Sequence, residues 1–342
     1  MAENKSSWIS NPGKYPVEVK SGPKPEPGQG QIVIKSAAVA INPLDWKIQA
    51  YGFYLEKYPF ILGQDVAGVV DAVGPGVTRF SKGQRVIAHC HGFLSGDPAN
   101  SAFQNYPIAI EPLTAAIPDH LSFEEACVLP LAVSTASAGL YQKDYLNLPL
   151  PSLTKVEPVS QVILVWGGAS SVGATAIQLA SASGLRVITT ASLPNHALVK
   201  ALGADLVFDY KSPTVVDDIA RAIEDTDFVG AYDAIAGSGS FEAVAAIMGK
   251  LNKFAPVASV LPYDKPTEQF APKFILAYDI IKEPHRFIGD WIWGTFVPQA
   301  LANGTLQAKP DPLVVGTSIE AIQHALDVQK RGVSAKKVVV TL

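Results

Sequence analysis

Residues 161–176 combine an apolar run, a turn of small residues and a second apolar run, in an order suited to binding a phosphate group. Val162 to Trp166 is typical of a buried strand, Gly167 to Gly173 of a tight turn, and Ala174 to Ala180 of a helix. Such a turn lets a pyrophosphate approach the backbone closely, and the free N–H groups at the start of the helix face its charge. The segment therefore predicts the opening strand, turn and helix of a dinucleotide-binding fold.

The glycine pattern departs at one position from the usual G-x-G-x-x-G. Gly168 and Gly173 occupy the outer positions, whereas Ser170 stands in the middle. Small residues also fill turns that are purely structural, so the pattern alone leaves both interpretations open. Under the cofactor interpretation, we predict that the pyrophosphate is met by Gly168, Ser170, Ser171, Val172 and Gly173.

The segment after the second predicted strand, 186–190, bears on which dinucleotide binds. Folds specific for NAD usually place an Asp or Glu there to bind the ribose hydroxyls. Residues 190–195 read Thr-Ala-Ser-Leu-Pro-Asn and contain no carboxylate that would repel a 2′-phosphate. Ser192 and Asn195 can donate hydrogen bonds to that phosphate, and the sequence therefore favours NADPH.

Two further side chains are candidates for the same phosphate. Lys200 could supply positive charge, although an ordinary exposed lysine on a helix is an equally good interpretation. Tyr210, at the end of the third predicted strand, could cover the phosphate.

Strands and helices alternate through this half of the chain, which predicts a parallel sheet with right-handed crossovers. The predicted strands are 186–190, 204–210, 231–236 and 254–259, and the predicted helices are 195–202, 215–224 and 240–251. Arg286 to Trp291 is predicted as a last strand and Phe296 to Asn303 as a helix. Phe287, Trp291 and Trp293 are candidate walls of a substrate pocket, with core packing as an equal alternative.

The preceding part of the chain, 1–126, shows short alternating strands separated by Gly and Pro turns, which predicts a small irregular barrel. Ser122 and Glu125 have the spacing of a capping box, and we predict one helix from there to about Gln142. An amphipathic stretch, 318–330, and a final strand, 336–342, are expected to pack back on this first domain.

Composition excludes several classes of protein. The chain has 342 residues, of which 48% are hydrophobic, and a net charge of −4 without a basic run. A nucleic-acid partner and a membrane partner are therefore not expected. The N-terminus is polar, and two cysteines make no disulfide framework, so we expect a cytoplasmic protein.

Five motifs in order resemble the medium-chain dehydrogenase/reductase superfamily, and more narrowly its zinc-free quinone-reductase-like branch. They lie at 41–47 (Ile-Asn-Pro-Leu-Asp-Trp-Lys), 62–74, 80–86, 102–106 and 129–136. The segments 165–168, 192–195 and 208–210 further resemble fungal trans-acting enoyl reductases that partner polyketide synthases. The resemblance implies a Rossmann doubly wound parallel sheet over 126–302, plus a GroES-like irregular β-barrel formed by 1–125 and 303–342.

Alcohol dehydrogenases of this superfamily use a catalytic zinc, whose ligands must converge on an open coordination position. Here the usual cysteine position falls in 42–45, and the usual His-Glu pair is replaced by Gln64 and Asp65. His89, Cys90 and His91 are adjacent, but successive strand residues point to opposite faces, so they would not converge easily. We therefore predict no metal site, and reduction of an activated C=C bond becomes the leading reaction.

The resemblance also assigns roles to individual residues. It implies that Asp45 belongs to the cofactor site and that Lys47 and Thr135 lie beside the nicotinamide ribose and carboxamide. A solvated lysine and a packing threonine are the alternatives for the last two. Val260, Leu261, Val333 and Ser334 are expected to complete the cofactor site. Tyr51 or Tyr54 could donate a proton, although aromatic residues in such a loop more often line a pocket.

Three functions remain in competition. The leading one is an NADPH-dependent reductase of enones or enoyl thioesters, on free or carrier-bound substrates, with transient contact to a polyketide synthase. The second is an NADPH-dependent quinone reductase. The third is a non-catalytic NADPH-binding protein. The chain is expected to be a monomer or a homodimer.

Overall fold

A computed structural model describes residues 3–154, 156, 160–237, 239–252 and 254–342. Met1 and Ala2, which begin the polar N-terminal stretch, lie outside the described residues. The chain forms two compact units. The first unit comprises the described residues of Met1–Leu131, Trp293–Ala302 and Ala308–Leu342. The second unit comprises those of Ala132–Ile292 and Asn303–Gln307.

The strands are numbered along the chain. They are β1 (Glu3–Ile9), β2 (Glu18–Pro23), β3 (Gln31–Ala40), β4 (Phe60–Ile61), β5 (Asp65–Val73), β6 (Arg85–His89), β7 (Ile108–Ile110), β8 (Thr114–Ala116), β9 (Gln161–Trp166), β10 (Arg186–Thr190), β11 (Leu206–Phe208), β12 (Asp227–Asp233), β13 (Val257–Ser259), β14 (Lys273–Phe274), β15 (Asp311–Thr317) and β16 (Lys336–Thr341).

The helices are numbered in the same way. They are α1 (Pro43–Tyr51), α2 (Gly92–Ser95), α3 (Phe123–Ala126), α4 (Pro130–Tyr141), α5 (Ser171–Ala182), α6 (His196–Ala201), α7 (Val215–Ile223), α8 (Ser240–Leu251), α9 (Arg286–Trp291), α10 (Val297–Asn303) and α11 (Ile322–Arg331). Short 3-10 turns at Pro98–Asn100, Glu111–Leu113, Leu193–Asn195, Ala277–Ile281 and Ile319–Ala321 and a π turn at Ile292–Phe296 complete the set.

The first unit is built on a mixed sheet in the order β15-β16-β3-β5-β6-β8, with β7 also paired to β3. The strands pair antiparallel except for β15 and β16, which are parallel. Strand β16 pairs with β3 so that Val339 lies opposite Ala40, which confirms that the tail packs back on the first domain. A smaller sheet has the order β2-β1-β4. These sheets enclose an aliphatic core that includes Ile34, Val66, Val86 and Val338.

The second unit contains a parallel sheet in the order β11-β10-β9-β12-β13-β14, as the alternation of strands and helices predicts. Residues Val162 to Val165 of β9 are completely buried, since both faces of a central parallel strand are covered. The chain reverses its direction of winding at β9, because β10 and β11 lie on one side and β12 to β14 on the other. Ligands of such folds bind at the carboxyl ends of the strands near this switch point.

The single helix predicted from Ser122 to about Gln142 is wrong. Ser122 does form the capping box, because its Oγ accepts from the backbone N of Glu125 at 3.2 Å and its own N donates to Glu125 Oε2 at 3.0 Å. However, α3 ends at Ala126, and α4 begins at Pro130. Proline has no N–H to continue a preceding helix, and it disfavours helical backbone at the residue before it.

The strand predicted at Arg286 to Trp291 is also wrong, since these residues form α9. Strand β14 pairs beside β13 instead. Gly289 faces the 3-10 turn at Ile280 so closely that a Cβ there would lie 2.5 Å from the Ile280 carbonyl oxygen. Ile280 lies nine residues before Gly289, outside the six-residue apolar pattern, so that pattern could not reveal the contact.

Across the part of the chain that the structure describes, every helix is too short or too polar to span a lipid bilayer.

Candidate functional site

The turn between β9 and α5 is shaped by close backbone approaches. Gly167 has a φ of 82°, which favours glycine. A Cβ on Gly173 would lie 2.2 Å from the carbonyl oxygen of Gly167, and a Cβ on Gly168 would lie 2.2 Å from Thr189 Oγ1. A side chain at either position would therefore clash with its neighbours.

Ser170 has a defined role in this turn. It is the N-cap of α5, and its Oγ accepts the backbone N–H of Gly173 at 3.0 Å. The serine therefore fixes the start of the helix. Ser171 and Val172 lie in the first helical turn, where N–H groups have no intrahelical acceptor. Of the five residues predicted to meet a pyrophosphate, Ser170 to Gly173 form the start of α5, and Gly168 lies two residues before its N-cap.

Two threonines at the end of β10 hold the turn in place. Gly167 N donates to Thr190 Oγ1 and Gly168 N donates to the Thr190 carbonyl oxygen, each at 2.9 Å. Thr189 Oγ1 donates to the carbonyl oxygen of Val165 at 2.7 Å. Sequence analysis missed both residues. Two successive threonines at the end of the neighbouring strand were the available signal.

The residues predicted to meet a 2′-phosphate follow β10 and β11. Asn195 Nδ2 donates to Ser192 Oγ at 3.1 Å, so this predicted pair is in direct contact. Ala191 N donates to the Phe208 carbonyl oxygen at 3.0 Å, which joins the carboxyl ends of β10 and β11. Tyr210 follows that point and is 46% exposed. Lys200 lies in the last turn of α6 and is exposed.

Val260 and Leu261 directly follow β13, at the carboxyl end of this parallel strand. Val260 N donates to the carbonyl oxygen of Asp233 at 3.2 Å. Ser259 Oγ donates to the carbonyl oxygen of Leu261 at 2.7 Å. These bonds fix the backbone of the two predicted residues beside the end of β12.

Asp233, which sequence analysis did not single out, organises the loop after β12. Its carboxylate accepts hydrogen bonds from Ile235 N at 3.0 Å, Ala236 N at 2.8 Å and Ser240 Oγ at 2.6 Å. Burial raises the pKa of this carboxyl, while the three donors act against that rise. A buried acid after a parallel strand, with serine seven residues later, was the signal available.

Thr135 lies on α4 in the second unit and is 9% exposed. Its carbonyl oxygen accepts the hydroxyl of the buried Tyr232, on β12, at 2.8 Å. This bond fixes the position of Thr135 against the parallel sheet.

In the first unit, α1 carries the predicted Asp45 and Lys47. Asp45 is completely buried, and its carboxylate accepts the backbone N–H of Asn42 at 2.7 Å as part of a capping box. Burial raises the pKa of Asp45 to about 7, and the nearby Asp65 adds to the rise. Lys47 is half-buried, with its Nζ 5.8 Å from the centre of the Trp46 ring.

A buried ionic group lies beside the start of α1. Asp65 Oδ2 is 2.9 Å from Lys337 Nζ and accepts Asn42 Nδ2 at 2.7 Å, while Asp65 Oδ1 accepts Leu131 N at 2.6 Å. Lys337 Nζ also donates to Asn42 Oδ1. One carboxylate thereby links α1, β16 and the first turn of α4.

His89, Cys90 and His91 are all buried at the end of β6. Burial lowers the pKa of His89 to about 3 and that of His91 to about 4, so both imidazoles are neutral at pH 7. Burial also raises the pKa of the Cys90 thiol. Within residues 3–342, apart from the gaps named above, no three His, Cys, Asp or Glu side chains are grouped to hold a metal ion.

Aromatic side chains form a connected run from α1 into the loop that follows it. The ring centres of Trp46 and Tyr51 are 6.3 Å apart, those of Tyr51 and Phe53 are 5.4 Å apart, and those of Phe53 and Tyr54 are 6.4 Å apart. Tyr54 is 60% exposed and has a φ of 64°, which is rare for an aromatic residue. Tyr51, Phe53 and Tyr54 are all more than half exposed.

The remaining predicted residues occupy different environments. Val333 and Ser334 lie in the loop between α11 and β16, in the first unit. Trp293 is completely buried, which fits core packing, and Trp291 Nε1 donates to the Pro151 carbonyl oxygen at 3.0 Å. Phe287 is exposed on α9.

Comparison with known proteins agrees with this architecture. The family model "Alcohol dehydrogenase GroES-like domain" matches residues 28–131, and the model "Zinc-binding dehydrogenase" matches residues 171–295. A solved alcohol dehydrogenase superfamily protein from Novosphingobium aromaticivorans has a TM-score of 0.78 at 25% identity, over 99% of each chain. A GroES-like domain and a Rossmann domain that binds NAD(P) are together the architecture of one class of oxidoreductases.

The chain belongs to that class, the medium-chain dehydrogenase/reductase superfamily. It is 42% identical to dehydrogenase pigH of Monascus ruber, over the whole of both chains. It is 40% identical to trans-enoyl reductase himH of Aspergillus japonicus, over 99% of this chain and 97% of that protein.

Proposed function

We propose that this oxidoreductase is an NADPH-dependent reductase of the C=C bond in an α,β-unsaturated carbonyl compound, an enone or an enoyl thioester. The observation that carries the proposal is the 40% identity, over nearly the full length, to a protein named as a trans-enoyl reductase. The glycine turn of the second unit supports it, because its shape fits a dinucleotide.

The preference for NADPH over NADH rests on the carboxyl end of β10. The contacting pair Ser192 and Asn195 stands where an NAD-specific fold places an acid. Both side chains can donate to a 2′-phosphate.

A reduced nicotinamide, when bound, supplies the hydride that adds to the β-carbon. As negative charge develops on the carbonyl oxygen of the substrate, the protein must stabilise it and deliver a proton to the α-carbon. In the second unit, Thr135 is proposed to contact the carboxamide of the cofactor. In the first unit, Lys47 is proposed to contact its ribose, Asp45 to hold the start of α1 that carries Lys47, and Tyr54 to donate the proton.

The reaction is proposed to need no zinc. The acid at the position of a zinc-bound His-Glu pair, Asp65, already has Lys337, Asn42 and Leu131 as partners. Its charge is thereby neutralised by a lysine within the protein.

Two relatives, himH of Aspergillus japonicus and tndF of Aspergillus flavipes, are named as trans-enoyl reductases. We extend the proposal to a cytoplasmic enzyme of secondary metabolism that reduces a carrier-bound polyketide intermediate during transient contact with its synthase.

The test is oxidation of NADPH by the purified protein with an enone, an enoyl thioester and a quinone, before and after dialysis against a chelator. We expect turnover with the first two acceptors, unchanged by the chelator. Turnover with the quinone alone would indicate a quinone reductase. Tight NADPH binding without turnover of any acceptor would indicate a non-catalytic protein.

A further inference from the structure

The side chains at the proposed 2′-phosphate position include few charges. Ser192, Asn195 and Tyr210 are all neutral, whereas a 2′-phosphate carries up to two negative charges near neutral pH. Hydrogen bonds from a charged donor to phosphate are roughly twice as strong as those from a neutral donor. A cation at this edge of the sheet would therefore do most to discriminate NADPH from NADH.

Lys211 is held at the carboxyl end of β11 by its backbone. Its N–H donates to Asp209 Oδ1 at 3.0 Å, and Ser212 N donates to the Asp209 carbonyl oxygen at 2.9 Å. These bonds close a turn directly after the strand. The Asp209 carboxylate thus faces its own turn, while the Lys211 ammonium lies 5.7 Å from the centre of the Tyr210 ring.

The neighbouring strand end lies close to this turn. Ala191 N donates to the carbonyl oxygen of Phe208, so the chain immediately before Ser192 is bonded to the chain immediately before the Lys211 turn. Lys211 is exposed, and none of the described carboxylates forms an ion pair with it. Its charge is therefore available to a ligand over Tyr210.

Lys200 is less well placed. The chain from Ser192 passes through the turn Leu193–Asn195 and then α6, whose last turn contains Lys200. At about 1.5 Å of rise per helical residue, the backbone of Lys200 lies roughly 7 Å further along the helix than that of Asn195.

We propose that Lys211, held over Tyr210, supplies the positive charge that selects the 2′-phosphate, and that Lys200 does not. The proposal rests on the proposed NADPH preference and names the residue responsible for it. Lysine binds phosphate as a compact point charge, so a glutamine of similar length keeps a donor but loses the selecting charge.

The test compares Lys211→Gln with the matched Lys200→Gln by binding rather than by turnover. NADPH, NADH, 2′,5′-ADP and 5′-AMP are each titrated calorimetrically into the wild type and both variants, at low and high salt. We expect Lys211→Gln to weaken NADPH and 2′,5′-ADP about tenfold and to leave NADH and 5′-AMP within twofold. Lys200→Gln should change none of them by more than twofold. Lys211→Arg keeps the positive charge and should retain most of the wild-type affinity for NADPH and 2′,5′-ADP.

The salt series adds a second measure, because an exposed charge is screened by added salt. The ratio of NADPH to NADH affinity should fall with salt in the wild type and change little in Lys211→Gln. Equal effects of Lys211→Gln on NADPH and NADH, or a selective loss in Lys200→Gln, would overturn the proposal. Failure of the wild type to bind either dinucleotide would overturn the cofactor assignment itself. NADPH binding without enone reduction would refute the proposed reaction but not the proposed role of Lys211.

Discussion

Lys337 Nζ lies 2.9 Å from Asp65 Oδ2, with both side chains almost completely removed from solvent. The pair joins the last strand of the chain to the start of β5 and, through Asn42, to the start of α1. Burying an unpaired ion lowers the stability of the folded state, so the buried Asp65 carboxylate and the buried Lys337 ammonium each need the other as a partner.

Removing one partner should therefore be far worse than removing both. We expect Lys337→Met to lower the free energy of unfolding by about 3–5 kcal/mol, because the buried Asp65 carboxyl is left without its cationic partner. The double variant Lys337→Met with Asp65→Leu should recover much of that loss. Urea unfolding of the four proteins in the cycle measures the coupling. A loss below about 1 kcal/mol in Lys337→Met would show that the pair is not a stabilising link.

Asp45 should make stability depend on pH. Its pKa is raised to about 7, chiefly by burial, from an ordinary value of 3.8. The folded state therefore favours the protonated acid, and this contribution is complete below pH 4 and is lost as the pH rises through 7. The free energy of unfolding of the wild type, relative to Asp45→Asn, should fall between pH 4 and pH 7 and then level off. A difference that stays constant or rises over this range in urea titrations would contradict the burial argument.

Gly173 should be irreplaceable. In Gly173→Ala, the new methyl group would meet the Gly167 carbonyl oxygen at 2.2 Å, and neither backbone segment can move without disturbing the turn. We expect at least a tenfold loss of NADPH affinity together with a lower melting temperature. Gly249 on α8 is the matched control, because a Cβ there meets no atom within 4 Å. Gly249→Ala should keep cofactor affinity and gain up to about 1 kcal/mol of stability; equal behaviour of the two variants would refute the steric account.

Ser170 separates the structural role of the turn from its role in binding. Ser170→Ala removes the acceptor for Gly173 N and should cost about 1 kcal/mol of stability. Ser170→Asp keeps a good helix cap, yet places a negative charge where the pyrophosphate is proposed to bind. Thermal unfolding should therefore rank Asp close to Ser, while dinucleotide titration should rank Asp below Ala. Dinucleotide affinity in Ser170→Asp equal to that of the wild type would place the pyrophosphate elsewhere.

Sequence patterns predicted those elements that are determined by residues close together in the chain. The buried run of β9, the small residues of its turn and the capping box at Ser122 are determined by neighbouring residues, and the structure has all three. The motif order also indicated the correct superfamily.

Other features depend on residues that are distant in sequence. The partner of Asp65 lies at the far end of the chain, at Lys337. Thr190 meets Gly167, which lies 23 residues earlier, only once β9 and β10 are aligned. No local pattern contains this information, because burial and long-range pairing create these contacts.

The most direct measurement follows the hydride itself. The protein is incubated with an enoyl thioester and NADPH that carries deuterium at C4 of the nicotinamide. The two faces of C4 are labelled in separate reactions. Mass spectrometry and NMR then locate the deuterium in the product. The account predicts a saturated thioester with one deuterium at the β-carbon from one of the two cofactors. Deuterium on a carbinol carbon, or no reduced thioester with either cofactor, would contradict it.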